Sequence, residues 1–309
     1  MADPMAPDVV LAVPDLVSPS YFPAIAAVDL GFLRDEGLDA RLELRFPVTE
    51  AAHALREGRI DLLACAAHDP LYAFPEWRGA KLVTALSRYS YWFLVMRADL
   101  GIAPGELTAL RDVRIAAAPG PELALRIMLA EAGIDLEARG VSLTAVPPSK
   151  EAGTSFGLAA TAALAGGTVD GFWANGMGAE LAVRAGTGTV VVDARRDTTP
   201  RGLRGYTFPA LTATDTTLAA RPHLVAAVSR AVGRAQRALR ADPDLATGTG
   251  GRLFPPVEAA TIAELVRRDG PFYQQEIDAP TVASLLEFSH RAGLLDRATG
   301  YDVVATGST

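Results

Sequence analysis

A ten-residue phrase occurs twice in this chain and limits what it can fold into. Residues 54–63 read ALREGRIDLL and residues 163–172 read ALAGGTVDGF, 109 residues apart. Both follow Ala-Leu-x-x-Gly-x-(Ile/Val)-Asp-x-(Leu/Phe), which predicts a helix ending at a glycine cap, Gly58 or Gly167, and then a short buried strand. The agreement extends upstream to about 60 residues in each copy. PAIAAVDLGFLRDE (23–36) and ELALRIMLAEA (122–132) are helical runs stopping at Gly37-Leu38-Asp39 and Gly133-Ile134-Asp135. Before each lie a strand and a proline turn, VVLAV with Pro14 and VRIAAA with Pro119, and after each comes another strand, RLELRF or VSLTAV. Each half therefore reads β-loop-α-β-loop-α-β, the unit that builds parallel sheets through right-handed crossovers.

The 309 residues suit two lobes better than one core. The aromatic strand SYWFLVMRADL (90–100) is expected to close the first sheet before the chain crosses over. VVVDARRD (190–197) ends the second unit, GYTFPALTAT (205–214) is the return, and the remainder is helical. The expected division sets residues 1–98 with 205–309 in one discontinuous lobe and 99–204 in the other.

A formal charge of −7 argues against a nucleic-acid partner, which needs a basic surface. No apolar run approaches the roughly 18 residues of a membrane span. The start, MADPMAPDVV, lacks the basic and apolar regions of an export signal. The expected location is cytoplasmic if the chain is complete as written and periplasmic if a signal was trimmed. One cysteine, Cys65, excludes an internal disulfide. The scattered His53, His68, His223 and His290 form no metal motif, and no cofactor is expected.

Ligands of open parallel sheets bind beyond the carboxyl ends of the strands. The repeat nominates matched loops there: Asp15 to Phe22 with Ser20 and Tyr21, Val48-Thr49, and Ala66 to Asp69 from the first half. Pro119 to Glu122, Pro147 to Ser155, and Asn175 to Met177 come from the second. GMG at 176–178 supplies two of the glycines of a dinucleotide fingerprint, and it follows the wrong strand. Asn175 can orient a polar group or cap a helix, roles that are compatible. Trp173 can stack on a flat ligand or fill the core. His68 can hydrogen-bond a ligand or cap its loop. Arg88, Tyr89 and Tyr91, with Trp92, suit an organic carboxylate or sulfonate by pairing and stacking. Lys150, one of two lysines, could complement such an anion. Tyr206 is placed to floor the cleft.

Several stretches carry a family likeness: YFPAIAAVDLGFLRDEGLDARLE (21–43), EAAHALREGRIDLLA (50–64), LAGGTVDGFWA (164–174) and RPHLVAAVSRAVGRAQRALRADPDLA (221–246). They resemble type II periplasmic solute-binding proteins, the group that binds nitrate, sulfonates, taurine and thiamine pyrimidine precursors. The resemblance implies an α/β fold of two lobes, each a largely parallel sheet flanked by helices, with the ligand cleft between them. It implies a non-catalytic receptor for a small organic solute, anionic or aromatic, delivered to an ABC permease. A cytoplasmic enzyme on the same scaffold, synthase-like or desulfinase-like with Cys65 or His68 in the chemistry, stays open beside it. The first loop, PDLVSPSYF, carries no plain anion-binding signature.

Overall fold

Strand-forming runs such as VVLAV and LLACA are apolar along their whole length, as strands covered on both faces must be. The structure, a computed structural model, describes residues 9–146, 155–196 and 202–307. The strands are β1 (Val9–Val13), β2 (Ala40–Leu44), β3 (Leu62–Ala66), β4 (Ala80–Ala85) and β5 (Phe93–Arg97). They continue with β6 (Arg114–Ala117), β7 (Ser142–Thr144), β8 (Gly171–Ala174), β9 (Gly188–Asp193) and β10 (Pro209–Thr214). Two sheets result, ordered β2-β1-β3-β10-β4 and β7-β6-β8-β5-β9. In each, three strands run parallel and the fourth, β10 or β5, is antiparallel to both neighbours. The two orders superpose strand for strand, which is the repeat made visible.

The repeated aspartate has one structural task in both copies. Asp61 Oδ2 accepts the Val10 amide at 2.8 Å, and Asp170 Oδ2 accepts the Arg114 amide at 2.9 Å. Each thus satisfies a backbone donor at the head of the neighbouring parallel strand. The repeated glycines match as well, Gly58 and Gly167 both holding φ at 69°, where a side chain is strained.

Helices α1 (Phe22–Asp29), α2 (Phe32–Asp35), α3 (Val48–Arg56), α4 (Pro121–Glu131), α5 (Phe156–Ala165) and α6 (Gly176–Arg184) serve the two units. The single helix expected over 23–36 is divided into α1 and α2, because Gly31 at φ 80° turns the chain between them. The chain ends in α7 (Asp215–Ala220), α8 (Leu224–Ala241), α9 (Leu245–Leu253), α10 (Pro256–Asp269), α11 (Ala279–Arg291) and α12 (Tyr301–Val304).

One expectation is corrected. The strand within residues 90–100 does not close the first sheet: β5 lies inside the second, Phe93 opposite Ala174 and Asp193. The chain crosses ahead of residue 93, short of the 98/99 boundary expected. Apolar strands fit either sheet equally well, and β5 is placed by the edge left open between β8 and β9. The crossings lie between β4 and β5 and between β9 and β10. Between them Arg195 and Asp269, each 2 % exposed, form an ion pair at 3.1 Å, and Arg268 adds two hydrogen bonds to the same carboxylate. Burial works against the Asp269 charge, but Arg195 and then Arg268 overcome it and hold its pKa below the usual value.

Candidate functional site

The loops at the carboxyl ends of β1 and β3 face those of β6 and β8, and a cavity opens between them. The space between them, open mouth included, is about 570 Å³. The first sheet contributes Asp15, Ser18, Tyr21, Val48 and Asp69. The second contributes Pro119, Pro121, Phe156, Trp173 and Asn175, and the crossing adds Tyr91 and Trp92.

Asp15 ties the two sides together. Its Oδ2 accepts Nδ2 of Asn175 at 2.8 Å and Oγ of Ser155 at 2.9 Å, while its Oδ1 accepts the Val17 amide at 3.0 Å. Burial pushes its pKa from 3.8 up to about 6, against the pull of those hydrogen bonds. Ser155 and Asn175 can reach it because both head helices: Ser155 caps α5 through Leu158 N, and Asn175 caps α6 through Met177 N. Small residues permit that convergence. A Cβ on Gly178 would meet the Gly157 carbonyl oxygen at 2.7 Å, and one on Gly157 would press on the Asn175 amide.

Asp69 opens a 3₁₀ turn after β3 and is 2 % exposed. Its Oδ2 accepts the Ala66 amide at 2.8 Å, and its Oδ1 has no hydrogen-bond partner. Burial raises its pKa to about 7. His68 stands 3.4 Å away from Oδ1 through Nε2, without hydrogen-bonding alignment. Burial holds that ring neutral, its pKa lowered to about 3, and Nδ1 pairs with Thr207 Oγ1 at 3.1 Å. Tyr21 and Tyr91 share a 2.6 Å hydrogen bond between their hydroxyls. Ser18 Oγ and Trp173 Nε1 are buried and unpartnered.

The match to the family model described as NMT1/THI5 like spans residues 18–246. The chain belongs to the NMT1/THI5-like family. The fold of this NMT1/THI5-like protein is that of two-lobed periplasmic binding proteins. The alkanesulfonate-binding protein SsuA of Xanthomonas axonopodis pv. citri, bound to MOPS, shares a TM-score of 0.69 at 15% identity, covering 94% of each chain. The periplasmic nitrate-binding protein NrtA of Synechocystis PCC 6803 gives 0.68 at 14% identity, over 96% of this chain and 85% of that one. A cysteine-to-serine mutant of DSZB in complex with biphenyl-2-sulfinic acid gives 0.65 at 18% identity, over 96% of both. No curated protein sequence matches the chain.

Of the positions singled out from sequence, Asp15, Tyr21, Tyr91, Trp92, Trp173 and Asn175 line this cavity in the NMT1/THI5-like protein. Asn175 is both wall and helix cap. Ser20 is buried near the cavity without lining it, Thr49 sits on α3 beside the lining Val48, and His68 stands behind Asp69. Met177 is core, and Glu122 pairs on the surface with Arg126 four residues on. Arg88 and Tyr89 line a separate depression with Arg204 and Thr207. Tyr206 is buried in the second crossing, stacked on Phe288 and hydrogen-bonded to Glu131. Lys150 lies outside the described residues. Cys65 lies on β3, wholly buried, its thiol pushed up by burial and set against Thr212 rather than the cavity. Ser18, Phe46, Asp69 and Phe156 were passed over. Ser18 and Asp69 fell within nominated loops, and beside Asp69 it was His68 that drew the attention.

Proposed function

We propose that this protein is the solute-binding component of an ABC-type importer, working outside the cytoplasmic membrane and handing a small planar organic molecule to a permease. One observation carries the reading: a single cavity is walled by the strand-tip loops of both sheets, and Asp15 of one side is hydrogen-bonded to Asn175 and Ser155 of the other. A solute seated there touches both lobes at once, so binding favours the closed shape that a partner can recognise. The aromatic walls supplied by Tyr91, Trp92, Trp173 and Phe156 suit a flat body. Closure turns about the two crossings, whose ends are fixed by the buried Arg195–Asp269 pair. The family and the likeness of fold to SsuA and NrtA support a receptor. So does the position of Cys65, away from the cavity and poorly disposed to ionise.

The test is a melting-temperature screen of planar organic solutes, followed by small-angle scattering of any that stabilise. A receptor gains stability with ligand concentration, contracts on binding and returns the ligand chemically unchanged. A solute recovered as a different compound overturns the reading.

A further inference from the structure

The cavity polarity narrows the solute class. This inference rests on the receptor reading and concerns the same site. Its polar wall holds two carboxyl groups, Asp15 and Asp69, and among the described residues that line it there is neither lysine nor arginine. The arginines at the crossings turn elsewhere: Arg195 and Arg268 to Asp269, Arg196 to Asp193, and Arg88 and Arg204 to the Tyr89 ring. An anion entering this cavity would leave water to face two carboxyl groups and, among the described residues of the lining, no cation.

The carboxyl groups are not equivalent. Asp15 accepts three hydrogen bonds from the protein, one at Oδ1 and two at Oδ2. Asp69 is anchored through Oδ2 only, and its buried Oδ1 has no partner. An acceptor left unmatched in a folded core is destabilising unless something supplies a donor. The rings of Tyr91, Trp92 and Trp173 are within the same wall, and aromatic faces attract cations. Ser18 Oγ and Trp173 Nε1 are further unpartnered groups of the lining, ready for an acceptor on the same guest.

We propose that the cleft selects a small planar organic cation, an aromatic amidinium or ammonium, with Asp69 Oδ1 as its counter-ion and hydrogen-bond acceptor. The groups facing Asp69 do not provide that charge. His68 is neutral, and Tyr21, Tyr72, Tyr91 and Cys65 are all held protonated by burial. Burial also leaves the Asp69 proton in place up to about 7 when the site is empty. Binding a cation then expels that proton, and affinity for it rises as pH rises through that value.

Titration calorimetry with the full chain tests the idea, using benzamidinium and benzylammonium against benzoate, benzenesulfonate and neutral benzamide. The cations are expected to bind at least about tenfold more tightly than the anions. Asp69→Asn should weaken benzamidinium about tenfold or more, with an unchanged circular dichroism spectrum reporting an intact fold. Benzamidinium affinity should climb between about pH 5 and 8 in the parent and stay flat in the variant. Tighter binding of benzoate or benzenesulfonate overturns the inference and leaves the receptor standing. So does cation binding indifferent to Asp69→Asn, or binding confined to benzamide. If no solute of any charge binds or contracts the molecule, the receptor reading falls with it.

Discussion

Asn175 and Asp15 meet across the cleft at 2.8 Å, and the same Asn175 amide caps α6 through its other atom, 3.0 Å from the Met177 nitrogen. Helix start and lobe contact are therefore one side chain. Asn175→Asp keeps a good cap but sets a carboxylate against Asp15. The variant should melt close to the parent at about pH 4, where Asp15 is protonated, and several degrees below it at about pH 8. Calorimetry at the two pH values decides; an equal deficit at both removes Asp15 from the contact.

The buried ionisable groups pull stability in opposite directions. Asp15 and Asp69 bind protons more tightly folded than unfolded, so their contribution is lost as pH rises from 3.8 to about 6 and about 7. For Asp69 the full window corresponds to about 4 kcal/mol. His68, lowered from 6.5 to about 3, costs stability as pH falls through that range. Asp69→Asn should therefore gain on the parent as pH climbs from about 4 to 7, and His68→Gln should gain as it falls. Urea titrations across this range should show the two difference curves sloping oppositely.

Asp269→Ala strands the Arg195 guanidinium, 2 % exposed, beside the crossings. Removing one partner of such a pair costs about 3–5 kcal/mol. A shift of that size in the urea midpoint is expected, far above the effect of removing Asp244, whose pair with Arg267 is exposed.

Gly120 stands at φ 96° at the head of α4, where an added Cβ would lie 3.1 Å from Val48 Cγ1 and 3.8 Å from Asp69 Oδ1. Gly120→Ala both strains that turn, by roughly 1–3 kcal/mol, and wedges the two sides of the cavity. Weaker solute binding and a larger radius of gyration are expected. An unchanged radius with unchanged affinity would show that the loops yield.

Cys65 is 0 % exposed and its thiol is hard to ionise. A thiol reagent should label it only on unfolding, and Cys65→Ser should bind solute within a factor of about two of the parent. Rapid labelling of the native protein would contradict its burial.

The sequence carried the architecture because the repeat reports it twice. Helix stops at Gly58 and Gly167, buried strands and matched loops are all local signals, and they led to the tips that wall the cavity. The position of β5 was not legible, since an apolar strand carries no mark of the sheet it joins. Side-chain direction was not legible either. His68 and Asp69 are adjacent, and the 3₁₀ turn Asp69–Tyr72 sets which of them lines the cavity. Arg88 and Tyr89 were a sound anion-binding cluster in composition, but Tyr89 takes φ 71° and the pair belongs to a different depression.

The second sheet is built from the consecutive strands β5 to β9, whereas the first combines β1 to β4 with the distant β10, and β5 and β10 both occupy interior places. The two do not become available together. All five strands of the second sheet have been synthesised once Asp193 is added, whereas the first sheet has a gap between β3 and β4 until Pro209–Thr214 follows. During synthesis the middle of the chain can therefore mature before its beginning, and the amino-terminal third must wait, edges unpaired, for a segment more than a hundred residues downstream.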